Sequence, residues 1–152
     1  GKSDLKRAIP KKMRAYANKW GSPVKVLILH DQDSNDCKKL KQDLAGVINA
    51  SAVKLPFMIR IACRELENWY LGDFNALQQV YPEIKASALR NKSKYRNPDQ
   101  VFGSHEIGLL SPRFSKTAAA RSLGAIIDVD HNSSPSFQQF MTGLSSFLTS
   151  KL

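Results

Sequence analysis

The sequence predicts an α/β domain with a mainly parallel sheet. Residues 24–30, Val-Lys-Val-Leu-Ile-Leu-His, form an almost unbroken apolar and β-branched run, the pattern of a strand covered on both faces. Residues 57–63 form a second such run, and the segment between them places Cys37, Leu40, Leu44, Val47 and Ile48 at helical spacing. Strand, helix, strand is the βαβ unit from which parallel sheets are built.

The elements run in order along the chain. Ser3 is placed to cap a first helix over residues 4–20, with Leu5, Ile9, Met13, Tyr16 and Ala17 on one face. Pro10 bends that helix or starts its main part, and Gly21-Ser22-Pro23 stops it. The first strand ends at Asp31, a helix over residues 34–50 comes next, and the second strand closes the unit. Residues 65–71 read as helical with Leu66, Trp69 and Tyr70 inward, and residues 74–80 as a short helix closed by Tyr81-Pro82. Residues 83–115 are polar, basic and weakly periodic, as in a substrate-facing loop or a locally mobile segment. An Ala-rich helix over 117–127 and an amphipathic helix over 136–148, begun by Ser134-Pro135-Ser136, complete the chain. No repeat or linker divides it, so one domain over residues 1–152 is expected.

Charge narrows the function. The net charge is +10, from 23 Lys and Arg against 13 Asp and Glu. A polyanionic partner is favoured, because cations placed beside phosphates release condensed counterions. Residues 1–30 carry eight basic side chains against Asp4, and residues 85–121 carry eight against Asp99 and Glu106. Lys11, Lys12 and Arg14 in the first segment, and Lys92, Lys94 and Arg96 in the second, are the candidate nucleic-acid contacts. No apolar run reaches the ~18 residues of a membrane helix, and the polar N-terminus has no signal-peptide pattern. With only Cys37 and Cys63, expected as small buried hydrophobes, a reduced, cytoplasmic setting is favoured.

The acids concentrate where chemistry is expected. His30-Asp31-Gln32-Asp33-Ser34-Asn35-Asp36 places an Asp-x-Asp pair just past a strand end, where α/β sheets bind ligands. Two hard oxygen donors so close suit Mg²⁺ or Mn²⁺. An EF-hand is excluded, because Asp36 stands at its glycine position and Gln42 at its bidentate glutamate. Arg64-Glu65-Leu66-Glu67 comes directly after the second strand; Glu65 is the candidate third acid and metal ligand, whereas Glu67, about 200° away on a helix, would face elsewhere. Lys116, Lys94 and Arg96 are candidates to neutralise charge on a phosphoryl group, with Lys116 the transition-state cation. His30, His105 and His131 are too scattered for zinc, and Gly1-Lys2-Ser3 lacks the glycine and strand of a P-loop.

Several segments together resemble a bacterial family of uncharacterised TOPRIM-like proteins, often encoded beside AAA-type ATPases in mobile or defence loci. They are Gly1-Lys2-Ser3-Asp4-Leu5, residues 26–37, residues 61–73, Lys94-Tyr95-Arg96-Asn97-Pro98-Asp99 and residues 132–140. The resemblance implies a TOPRIM/Rossmann-like three-layer fold in which an early glutamate and a later Asp-x-Asp bind Mg²⁺ for phosphoryl transfer. Asp31 and Asp33 match the later motif. Family members begin with a strand and a Glu-Gly turn to which nothing here corresponds. A fragment lacking its first strand is therefore implied, with open sheet edges favouring a homo-oligomer or a partner chain such as an ATPase. The leading expectation is a Mg²⁺-dependent nucleic-acid phosphodiesterase or its metal-binding core. The alternatives are a docking module for nucleic acid or an ATPase, and an aspartate-nucleophile phosphatase acting through Asp31.

Overall fold

The computed structural model describes residues 2–19 and 23–151. The chain forms two compact units, one of residues 1–30, 35–61 and 144–152, the other of residues 31–34 and 62–143.

The first unit holds α1 (Lys2–Lys19), β1 (Val26–Asp31) up to its last residue, α2 (Cys37–Asn49) and β2 (Phe57–Ala62) up to its last residue. Val26 N–H donates to the Pro56 carbonyl at 2.9 Å and Gln32 N–H to Ala62 at 2.8 Å, so residue numbers rise together and the two strands are parallel. The helical spacing of Ile9 and Met13 on α1 and of Leu40, Leu44 and Ile48 on α2 turns these residues onto Ile28 and Ile59. Met13, Leu44 and Ile48 are at most 1% exposed, and each contributes about 1.5–3 kcal/mol by leaving water. Lys6 Nζ reaches Asp43 Oδ2 at 3.3 Å between the two helices. Two expectations change here. Ser3 falls within α1, which begins at Lys2, and Pro10 lies inside the same helix, as the first of its two alternatives requires. Cys37 is exposed and Cys63 half-buried. The stop at Gly21-Ser22 falls outside the described residues.

The second unit is helical: α3 (Glu67–Leu71), α4 (Phe74–Val80), α5 (Ala86–Leu89), two 3-10 turns (Ser93–Tyr95 and Pro98–Gln100), α6 (Gly103–Leu110), α7 (Lys116–Leu123) and the first residues of α8 (Pro135–Thr149). Leu71, Leu77, Ile84, Tyr95, Ile107 and Leu123 share its core. Residues 83–115 are thus ordered structure and not a loop. Their elements are three to eight residues long, too short for an 11- to 18-residue periodicity window to register.

Polar side chains stitch this unit together. Asn68 is fully buried; its Nδ2 donates to the carbonyls of Pro98 at 2.5 Å and Val101 at 2.8 Å, and its Oδ1 accepts from Gly103 N–H at 3.2 Å. A Cβ on Gly103 would lie 2.5 Å from the Asn68 nitrogen and 2.6 Å from the Glu67 carbonyl carbon, so only glycine permits this approach. Asp99 accepts from Ser134 Oγ at 2.6 Å and Ser136 N–H at 2.8 Å, and Ser136 Oγ accepts from Cys63 N–H and Trp69 Nε1, each at 3.1 Å. Among the described residues, no helix is long and apolar enough to cross a membrane.

Candidate active site

Because β1 and β2 are parallel, their C-terminal ends lie side by side, and the chain leaves each in a similar way. Asp33 N–H donates to the Arg64 carbonyl at 2.7 Å, and Arg64 N–H donates to Gln32 Oε1 at 3.2 Å. Asp33 at φ 51° and Arg64 at φ 57° both adopt the left-handed conformation. Asp tolerates this region; for Arg it costs about 1–2 kcal/mol, and the paired backbone bonds hold it there. The rest of the acidic motif divides by role. Asp36 caps α2, accepting from Lys39 N–H at 2.7 Å.

These turns deliver the carboxylates. Asp31 Oδ1 accepts from Leu66 N–H at 2.8 Å. Glu65 Oε2 accepts from Ser104 N–H at 2.9 Å, at the start of α6. Lys116, the first residue of α7, places its Nζ 3.6 Å from Glu65 Oε2 and 3.3 Å from Glu67 Oε2. Glu67 therefore belongs to the cluster. The expectation that it faces elsewhere assumed one helix through residues 65 and 67, whereas α3 begins at Glu67. Glu67 is 6% exposed, which makes the lysine its necessary counter-charge.

The electrostatics set the acids apart. Burial pushes the Asp31 carboxyl above the usual aspartate range, and the neighbouring charges of Asp33 and Glu65 add to this against the opposing Leu66 N–H and Lys116. Burial also pushes Glu65 upward, but the bonds from Ser104 and the Lys116 ammonium outweigh it and leave Glu65 below its usual range. Burial disfavours the Lys116 ammonium, yet Glu67, Glu65 and Asp31 together raise its proton affinity above that of an ordinary lysine. Tyr70 is pushed up to about 12 by burial and by Glu67, Tyr81 and Asp31.

Asp33, Glu65 and Lys116, three of the four residues the sequence singles out, therefore lie within electrostatic reach of the fourth, Asp31. Among the described residues, however, no three His, Cys, Asp or Glu side chains are grouped so as to hold a metal ion. Lys11, Lys12 and Arg14 are exposed on α1 in the first unit. In the second unit Lys92 is exposed, Lys94 pairs with Glu106 at 2.7 Å, and Arg96 lines a separate cavity of 330 Å³ with Arg90, Tyr95, Asp128 and His131.

The sequence pattern misses Glu67, Ser104 and Asn68. Glycine at position 103 is the one local signal for the last two, since it marks a close backbone approach. No curated protein and no solved structure matches the chain. Over residues 3–145 it matches the model of a family described as a domain of unknown function, DUF4276, and it belongs to that family.

Proposed function

We propose that the chain is a divalent-cation-dependent nucleic-acid phosphodiesterase, or the metal-binding core of one, built on a TOPRIM/Rossmann-like arrangement. The observation that carries this is the convergence of Glu65, Glu67 and Asp31 on Lys116, with Asp33 beside Asp31, at the C-terminal ends of two parallel strands. The donor set is all carboxylate, the chemistry of Mg²⁺ or Mn²⁺. A closed cage of three protein ligands does not fit the arrangement, but Mg²⁺ keeps most of its waters and is commonly held by one or two carboxylates with substrate phosphate completing the shell. Asp31 and Asp33 would hold the ion, with Glu65 at its edge. Such an ion supplies activation of a water and stabilisation of the leaving oxygen in an in-line displacement.

The chain's own residues do the rest. Leu66 N–H fixes the Asp31 carboxylate, and Ser104 N–H fixes that of Glu65. Lys116 offsets the charge of two acids and is the nearest cation for a phosphoryl group.

A second reading, a basic module that binds nucleic acid without cleaving it, is favoured by the engagement of Glu65 and Glu67 with Lys116 in place of a metal. Labelled single- and double-stranded DNA and RNA, incubated with Mg²⁺, Mn²⁺ or chelator, separate the two. Metal-dependent cleavage that falls about a hundredfold or more in Asp31→Asn, beyond the usual cost of losing an outer-shell partner, is the expected result. Absence of cleavage with either metal, together with salt-sensitive binding unchanged in Asp31→Asn, would replace the enzyme with the binding module.

A further inference from the structure

Two residues beside the carboxylates have no part in the chemistry above. Phe102 is 57% exposed, and the Arg64 guanidinium lies 4.6 Å from the centre of its ring, within cation–π distance. Exposure of a single aromatic residue carries little by itself. What distinguishes this one is how firmly its surroundings are fixed. Glu106 N–H donates to the Phe102 carbonyl at 2.9 Å, Gly103 N–H is held by the buried Asn68, and Ser104 N–H is held by Glu65. The backbone of residues 102–104 is thus bolted to the segment that carries the acids. Arg64 is equally constrained, since both its N–H and its carbonyl are bonded to the turn after β1, in a left-handed conformation that an arginine adopts only at a cost.

We propose that Phe102 and Arg64 form a stacking platform for an unpaired base of single-stranded nucleic acid, with the adjoining phosphate directed toward Glu65 and Asp31. This rests on reading the carboxylate cluster as a phosphodiesterase site. With the guanidinium over one face of the ring, the open face of the pair is left for a base to stack on, and the charge attracts the phosphate attached to that base. Ring faces of bases are accessible in a single strand and covered in a duplex, so the platform selects strand state and not sequence. It also accounts for a rigid exposed ring two residues from Ser104, where a displacement of the substrate by one nucleotide would carry the scissile phosphate away from Asp31.

The test is equilibrium binding of a labelled oligothymidylate, of its duplex with oligoadenylate, and of an abasic strand of equal length, all in chelator so that nothing is cleaved. Phe102→Ala is expected to weaken binding of the single strand about tenfold, equivalent to about 1.4 kcal/mol, with little change for the duplex or abasic strand. Phe102→Trp is expected to retain or strengthen it, and the salt dependence stays that of wild type because no phosphate contact is lost. Equal binding by wild type and Phe102→Ala, an equal loss for all three ligands, or no binding of any strand by the wild type would overturn the platform. If single-strand binding depends on Phe102 as expected but Mn²⁺ produces no cleavage, the platform stands and the phosphodiesterase reading fails.

Discussion

Polar side chains in the second unit do two different jobs. Asn68, Asp73 and Asp99 give their oxygens to backbone N–H groups or to a serine hydroxyl; Asp73, for example, accepts from Asn75, Ala76 and Asp128 N–H at 3.1, 3.0 and 2.8 Å. Around Lys116, by contrast, Glu65 and Glu67 face a cation that also acts on Asp31, and Leu66 and Ser104 N–H groups bond to Asp31 and Glu65. The first arrangement lowers the free energy of the fold. In the second, Lys116 offsets Glu65 and Glu67, while burial and the charges of Asp33 and Glu65 disfavour an ionised Asp31.

That contrast makes opposite predictions for similar substitutions. The largest effect is expected at the stitches. Asn68→Ala strips partners from two carbonyls and one N–H at a fully buried position, and should cost about 3 kcal/mol or more in urea unfolding. Gly103→Ala should cost a similar amount, because the two nearest atoms its Cβ meets are backbone and cannot swing aside. Asp73→Ala removes the cap of α4 and an anchor for residue 128, for about 1–2 kcal/mol.

Asp31→Asn should act in the other direction. The folded state binds the Asp31 proton more tightly than the unfolded chain does, so ionisation of Asp31 lowers stability as pH rises through its folded pKa. The amide keeps an oxygen for Leu66 N–H and removes the charge. Thermal melts should therefore show the variant more stable than wild type at neutral pH, with the gain shrinking as pH falls below that pKa. A loss of stability at neutral pH would mean that the carboxylate is structural after all.

The smallest effect is expected at Arg113, whose guanidinium, together with the Ser111 hydroxyl, holds the exposed Glu83 carboxyl down to about 2. That pair contributes stability above the usual value near 4.5 and loses it as pH falls through about 2. Arg113→Ala should return Glu83 toward the ordinary range in an NMR titration while leaving the neutral-pH melting temperature nearly unchanged, as solvent screening dictates.

Both strands and α4 are legible in the sequence because apolar runs and a closing Tyr81-Pro82 are local signals, and the observed α4 has the residues expected of it. Asp31, Asp33, Glu65 and Lys116 differ in how they are found. The first three are legible because a parallel strand pair brings the residues just past each strand to one edge. Lys116 is legible only as a cation of the right type, since it arrives on α7 from far along the chain. Glu67 is not legible, since helical spacing counted from Glu65 holds only where both residues share one helix, and α3 begins at Glu67. Asn68 is hidden for a related reason: its three partners lie 30 to 35 residues away, brought close by short helices that leave no periodic trace.

On the proposal above, the carboxylates around Lys116 are kept together to hold a divalent cation. Mn²⁺ titration followed by electron paramagnetic resonance measures this directly, on the wild type and on Asp31→Asn, without requiring turnover. Saturable binding by the wild type that weakens about tenfold or more in the folded variant is the predicted result. Equal affinity in the two proteins, or no specific binding in either, would contradict it and leave the acidic cluster without a metal.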